Sequence, residues 1–388
     1  MCIDRKYLIQ INTNIAFLLI SLQSFYFYSL GVAPLPYLGI LLLTLPCLLC
    51  SGRVDLSFVI MAMIFFSAVL ISILLFSGEG IAAFLGMLFS FVGIFFFYTT
   101  SFEYFDIKKT LKFVISFHLS FFFLQVVYFS LFKDVMDYVQ PVTGEVSRMI
   151  SSKGLTLLDV RIPRFSGLFN EPGTYATYFG GMLSIYSSLI KRWNILILIG
   201  IVSLLFTMSA FSFVVIAFII CSKLITTRPV NAKTFLLIIL AVSVGIFVVT
   251  VILERVHSGY MEMGFREAMI NDYFLHSDLV GVAFGKSIIS ASEKFGGVVN
   301  DVGLWFLVLY DYGALAFLAL ILIILMIFFK ARMRALPVLL LFVLKVKFSY
   351  PFFWLYLLFP YHKYIFSDNK GLQCNRPVPV TVATRRDQ

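Results

Sequence analysis

The chain has 388 residues, of which 61% are hydrophobic, 17% aromatic and only 13% charged, and its mean hydropathy is +0.98. Such a composition leaves too few polar residues to cover a soluble surface, so soluble enzymes and binding modules are excluded and a polytopic membrane protein is expected. The formal net charge of +10 does not mark a nucleic-acid binder, because the basic residues fall between apolar runs, where the preference of cytoplasmic loops for Lys and Arg accounts for them.

The N-terminus, MCIDRKYLIQINTN, puts charges ahead of an apolar run and has no small-residue cleavage site, so it reads as a retained first helix. Apolar runs long enough to cross the hydrocarbon core follow at Leu8 to Leu30, Leu35 to Cys50, Leu56 to Phe76, Ile81 to Thr100 and Leu111 to Phe132. Residues 1–132 are therefore an N-terminal set of about five transmembrane helices. Residues 133–172 form a first long loop. Gly173 to Ile190 then spans; Asn194 to Ile225 is too long for one crossing and is expected to turn at Ser209–Ser212; Thr234 to Leu253 completes a central set over 173–253. A second long loop covers 254–302. In the C-terminal set, 303–362, Gly303 to Phe329 spans, and Ala335 to Tyr361 is either one irregular helix or two short ones broken at Lys345–Pro351. The tail, 363–388, is polar and Pro-containing. The expected fold is all-α, with about 11–12 transmembrane helices and two long loops.

Orientation follows from the short loops. Placing Arg5 and Lys6 in the cytoplasm puts Arg53, Lys108, Lys109, Lys191, Arg192, Lys223, Arg228, Lys233, Lys330, Arg332 and Arg334 on the same side. The opposite short loops, GVAPLP and SGEG, contain no Lys or Arg. Both long loops then lie outside the cytoplasm, and two crossings within Ala335–Tyr361 would bring the tail back to the cytoplasmic side with the N-terminus. The cysteines, Cys2, Cys47, Cys50, Cys221 and Cys374, have no His or Cys partner at metal-ligand spacing and read as buried free thiols.

Charges otherwise gather in the two long loops, and Arg161 to Ala176, RIPRFSGLFNEPGTYA, is the most informative stretch. Pro163 holds Ile162 extended, Gly167 and Pro172-Gly173 allow turns, and the segment should be an ordered loop that enters a helix at Pro172. Glu171, with Asn170 before it, would meet the positive end of that helix dipole. Arg164 and Glu171 lie at the membrane boundary, where a lone charge needs a partner or a ligand, whereas Arg161 reads more as a surface neighbour.

Arg164, Gly167, Glu171 and Pro172 resemble the R-x-x-G-x-x-x-x-P-type segment in a periplasmic loop of the O-antigen polymerase (Wzy-type) and O-antigen ligase superfamily. The second loop, ERVHSGYMEMGFREAMINDYFLHSDLVGVAFGKS, resembles that superfamily's other periplasmic loop: Arg266 matches its arginine, and Gly281 and Gly285 match its Gly-x-Gly turn with stretched spacing. Arg255 is the runner-up arginine, with headgroup anchoring as its simpler role. Ligases of the superfamily close this loop with His-Asn; here Asn300-Asp301 stands without the histidine, which favours polymerase and leaves Asp301 as a candidate carboxylate.

The resemblance implies a glycosyltransferase of the bacterial inner membrane that joins undecaprenyl-diphosphate-linked oligosaccharides, as donor and acceptor, on the periplasmic face. It implies no cofactor and no metal, and a chain-length regulator protein as a possible partner beside membrane lipid. Arginine suits the work, because its planar guanidinium grips a diphosphate bidentately and neutralises the charge that develops as the glycosidic bond breaks. Arg164 and Arg266 take that role, and Glu171, Asp301 or His276 would accept the proton of the incoming hydroxyl. Arg161, Asn170, Arg255, Lys345 and Lys347 are candidate substrate contacts, the two lysines because a break between short helices there would face the loops. A ligase is the neighbouring alternative. A flippase or transporter is the alternative from another class, weakened because the only ionisable groups placed at mid-membrane are His118, Asp311, Lys345 and Lys347 and no symmetric pair of broken helices is visible.

Overall fold

A computed structural model describes residues 5–25, 34–47, 56–76, 81–100, 105–144, 146–147, 155–157, 160–190, 192–226, 263–286, 304–342, 346 and 348–360. The first group of helices is α1 (Arg5–Ser21), α2 (Pro34–Cys47), α3 (Leu56–Phe76), α4 (Ile81–Thr100) and α5 (Ile107–Phe132). The first long loop holds a single turn, α6 (Gln140–Thr143), and a hairpin of β1 (Leu155–Leu157) with β2 (Val160–Ile162). Then come α7 (Pro172–Leu189), α8 (Ile195–Phe206) and α9 (Ala210–Thr226). The second loop supplies α10 (Met263–His276) and α11 (Leu279–Phe284). Last are α12 (Leu304–Ala331), a 3₁₀ segment (Arg332–Phe342) and α13 (Pro351–Pro360).

Among the described residues, four helices are long and apolar enough to cross a membrane: Leu56–Leu75, Ile81–Thr100, Ile107–Phe132 and Phe306–Ala331. Their outward side chains are those of a protein surrounded by lipid: Leu56, Met63, Leu74 and Phe329 are 72%, 64%, 63% and 81% exposed. Helices close on one another at small residues, as expected where lipid supplies no hydrophobic drive. A Cβ on Gly39 of α2 would lie 2.7 Å from the Ala16 carbonyl of α1, and one on Gly180 of α7 would lie 2.9 Å from Val215 of α9.

Two departures from a purely apolar, all-helical reading have local causes. Pro163 cannot donate to a ladder and holds its predecessor extended, so Val160–Ile162 pairs with Leu155–Leu157 as a minimal antiparallel hairpin in register Thr156↔Arg161. Cys221 is a free thiol, but it is exposed rather than buried, because it sits on the outward face of α9 where an apolar thiol is at home against hydrocarbon.

The long run after Asn194 folds as two helices. Asn194 caps α8, its Oδ1 accepting from the Ile197 amide at 3.0 Å, and the chain reverses at Thr207–Ser209, where Met208 takes a left-handed φ of 47°. Helix α7 therefore runs parallel to α9. At their far ends Lys223 Nζ donates to the Ser187 carbonyl of α7 at 2.7 Å and to that of Ile190, a cation on carbonyls at a helix C-terminus.

Between Ala335 and Tyr361 the 3₁₀ segment and α13 are separate elements, and every residue of α13 is buried. At roughly 15 Å, α13 is too short to cross a bilayer and behaves as a core helix, apolar on all sides. Trp354 packs among Phe65, Phe66 and Phe91, and the Tyr98 hydroxyl donates to the Leu355 carbonyl at 3.1 Å. Helix α12 is also interrupted: Gly313 has φ 77° and ψ −178°, conformational space open only to glycine. The sequence YDYGAL gave no sign of that break.

Candidate functional site

The segment from Pro163 to Glu171 does not lie loosely on the surface; Phe165, Ser166, Gly167, Leu168 and Phe169 are all buried against α5. One stripe of α5 holds it. Gln125, fully buried, accepts the backbone N–H groups of Ser166 and Gly167 on Oε1 at 3.2 and 3.0 Å and donates from Nε2 to the Met136 carbonyl at 2.7 Å. Phe122, one turn earlier, meets Tyr175 and Phe165 edge or tilted, and Phe129 meets Phe165. His118, a further turn back and fully buried, stacks on Phe169 with centroids 5.2 Å apart, and its Nε2 shares a 2.8 Å hydrogen bond with Ser21 of α1. Gly167 turns the chain with φ 57°, and a Cβ there would be in ordinary contact with Phe122 at 3.5 Å, so the backbone conformation is what calls for glycine.

The two ends of this clamped turn project the charges. Before it, Arg164 is part-buried and its Nε points at the Thr207 carbonyl, 3.4 Å away, at the turn between α8 and α9. After it, Glu171 is the N-cap of α7 in extended conformation, with Pro172 in the first turn as the sequence required. The Glu171 carboxylate makes no cap hydrogen bond. It turns instead over Gly173, whose added Cβ would lie 3.4 Å from Glu171 Oε1 and 3.8 Å from Ser209 Oγ. Ser209 opens α9, its carbonyl accepting from Ser212 at 3.0 Å. The parallel helices α7 and α9 thus bring their N-termini together beside Arg164, and the hydroxyls of Thr207 and Ser212, hydrogen-bonded to each other, lie at the same turn. Two positive dipole ends and a guanidinium at one place favour an anion.

Asn170 is tied into the fold: its amide N–H and Oδ1 both meet Ser24 Oγ of the chain after α1, at 3.3 and 3.4 Å, and its carbonyl accepts from Ser147 at 3.2 Å. Those bonds fix its backbone and its side-chain oxygen immediately before Glu171. Arg161 lies on β2, opposite Thr156.

In the second loop Arg266 lies on α10, one turn before the buried Met269, and His276 ends that helix. The helix is pinned to α12 by buried charge. Asp272 Oδ2 accepts from Lys286 Nζ at 3.1 Å and from the Tyr310 hydroxyl at 2.8 Å, and Lys286 Nζ also reaches the Asp272 carbonyl at 2.7 Å. Burial pushes the neighbouring Tyr273 hydroxyl up to about 12, so it stays protonated and donates to the Val282 carbonyl at 3.0 Å. Asp278 caps α11, accepting from the Gly281 amide at 2.7 Å, and Gly285 ends it with φ 84°. Gly281 therefore lies inside a short helix that Gly285 ends, and the two do not form one Gly-x-Gly turn. Arg255, Asp301, Lys345 and Lys347 lie outside the described residues.

Sequence reasoning passed over Gln125 and the cluster of Asp272, Lys286 and Tyr310. The signal for Gln125 was present: His118 and Gln125 are polar residues seven apart in a largely apolar span, which puts them on one helix face. Among the described residues no three His, Cys, Asp or Glu side chains gather as a metal-binding group. A small apolar cavity lies elsewhere, between Phe17, Tyr98, Met182 and Phe359, and contributes nothing polar to this site. No family model, no curated protein and no solved structure matches the chain.

Proposed function

We propose that the chain is a membrane glycosyltransferase that polymerises undecaprenyl-diphosphate-linked oligosaccharide repeat units into O-antigen or a related surface polysaccharide, on the periplasmic face of a bacterial inner membrane. The observation that carries the reading is the meeting of Arg164 with the N-termini of α7 and α9 at one end of the bundle, with Glu171 at its edge. This is where a diphosphate would be held while its lipid tail stays in the bilayer. In the reaction the glycosidic C–O bond to the diphosphate breaks and the electron pair leaves with the diphosphate. A hydroxyl oxygen of the acceptor sugar forms the new bond and gives its proton to a carboxylate. Arg164, with Arg266 from the second loop, stabilises the leaving charge; Glu171 accepts the proton. Lys and Arg in the short loops on the opposite side support the orientation, with the N-terminus in the cytoplasm and the two long loops outside it.

A transporter is the second reading, and the break in α12 favours it. Gly313 interrupts an apolar span two residues after the buried Asp311, the kind of interruption at which transporters bind ions. The polysaccharide ladder of cells lacking the protein separates the readings. Polymerase predicts a single core-linked repeat unit and no ladder. Lipid-linked polymer beside a bare core would mark a ligase, and absence of repeat units from the periplasm a transporter.

Glu171→Gln tests the proton acceptor. A cap role is worth about 0.3–1 kcal/mol, too little to undo a helix held by its neighbours, and the carboxylate makes no cap hydrogen bond. The expected result is loss of polymer at normal protein level, with Glu171→Asp failing too for want of reach. A normal ladder from Glu171→Gln would assign the residue to architecture.

A further inference from the structure

We infer that Gln125 is the positioning residue of the site: its side-chain amide holds the turn from Phe165 to Phe169, and thereby Arg164 and Glu171, in working geometry. The inference rests on Arg164 and Glu171 belonging to the functional site, but its geometric half stands apart from that reading. A turn with left-handed φ at Gly167, buried in an apolar bundle, leaves backbone N–H groups without partners from regular secondary structure. The Gln125 Oε1 takes two of them, from Ser166 and Gly167, at 3.2 and 3.0 Å, while the Nε2 is anchored on the Met136 carbonyl at 2.7 Å. Within the turn the Ser166 hydroxyl donates to the Phe169 carbonyl at 2.6 Å, so the amide grips a unit that is already closed on itself.

The position of Gln125 along α5 makes the grip directional. Phe129 and Phe122 flank it one turn either way and take Phe165 and Tyr175, and His118 takes Phe169. Those aromatic contacts supply area but fix no register, because rings slide on rings. The amide fixes register: an oxygen seated on two successive N–H groups has one position along the turn. Arg164 lies two residues before Ser166 and Glu171 two after Phe169, so a slip of the turn moves both charges together. Polar satisfaction in this buried turn is therefore coupled to the separation between the guanidinium and the carboxylate.

The test uses the full-length protein in membranes and two variants. Gln125→Met keeps length and shape but removes the acceptor; Gln125→Glu keeps an oxygen at the same place and, as a neutral acid, a donor for the Met136 carbonyl as well. Hydrogen exchange of the peptide covering 163–171 is read beside polymer formation. Gln125→Met is expected to speed exchange there about tenfold while α5 and α7 stay protected, and to abolish polymer at normal protein level. Gln125→Glu is expected to restore both, which a purely volumetric role for Gln125 would not do. Unchanged exchange over 163–171 in Gln125→Met would overturn the inference whatever the polymer does. Faster exchange with undiminished polymer would overturn its functional half if Arg164→Ala is inactive; if Arg164→Ala is active as well, the assignment of the site is what fails.

Discussion

Arg164→Ala is expected to abolish polymer while the protein remains inserted at its normal level. The bond from Nε to the Thr207 carbonyl is long at 3.4 Å, and a typical hydrogen bond contributes only about 1 kcal/mol net. The reaction loses much more. Removing one preorganised donor from a developing oxyanion costs about 10²–10³ in rate, and here the donor also carries the charge that neutralises the diphosphate. Arg164→Lys should recover little of it, since an ammonium is a point charge that cannot reproduce the two-pronged fit to phosphate oxygens. Arg266→Ala and Arg266→Lys are expected to behave the same way from the other loop. Ladder length in cells and turnover of purified protein on lipid-linked repeat units both report the effect, and full-length ladders from the two lysine variants would refute bidentate recognition.

The sequence disclosed this segment because proline and glycine restrict the backbone locally. Pro172 at the head of α7, extended Glu171 before it and the left-handed turn at Gly167 each follow from one residue's own φ preferences. The reversal near Ser209 was legible for a similar reason, since an apolar run longer than a bilayer must turn and the small hydroxyl residues mark where. What holds the segment was not legible, because it depends on which face of α5 meets it, and an apolar helix with Phe on every side hides that face. The polar pair His118 and Gln125 gave the only periodic clue. The second loop was harder still. The link from Asp272 to Lys286 and Tyr310 joins residues 14 and 38 positions apart, and the seat of one turn on a broken helix is a tertiary event with no local sequence pattern.

That seat gives the largest effect expected on the fold. Gly285 and Gly313 place two backbones in direct apposition: the Lys286 amide donates to the Tyr310 carbonyl at 2.8 Å, a carbonyl next to the break in α12. A Cβ on Gly313 would fall inside contact distance of the Ala283 carbonyl and the Gly285 amide, both backbone atoms that no rotamer change can move. The same residue needs φ 77° with ψ −178°, which costs an L-residue about 1–3 kcal/mol by itself. Overpacking against backbone adds about as much again, so Gly313→Ala should destabilise the docking of α10 and α11 on α12 by about 2–6 kcal/mol. Tyr310→Phe, which removes one hydrogen bond to the Asp272 carboxylate but no backbone space, is expected to cost less, about 1.5–3 kcal/mol. The order of the two decides what holds the second loop. Protease cleavage within 277–286 and thermal unfolding of the detergent-solubilised protein measure it: Gly313→Ala more labile than Tyr310→Phe means that backbone apposition dominates. The reverse order would show that the Tyr310–Asp272 hydrogen bond outweighs backbone apposition, and a Gly313→Ala protein as stable as the parent would show that α12 does not need its break.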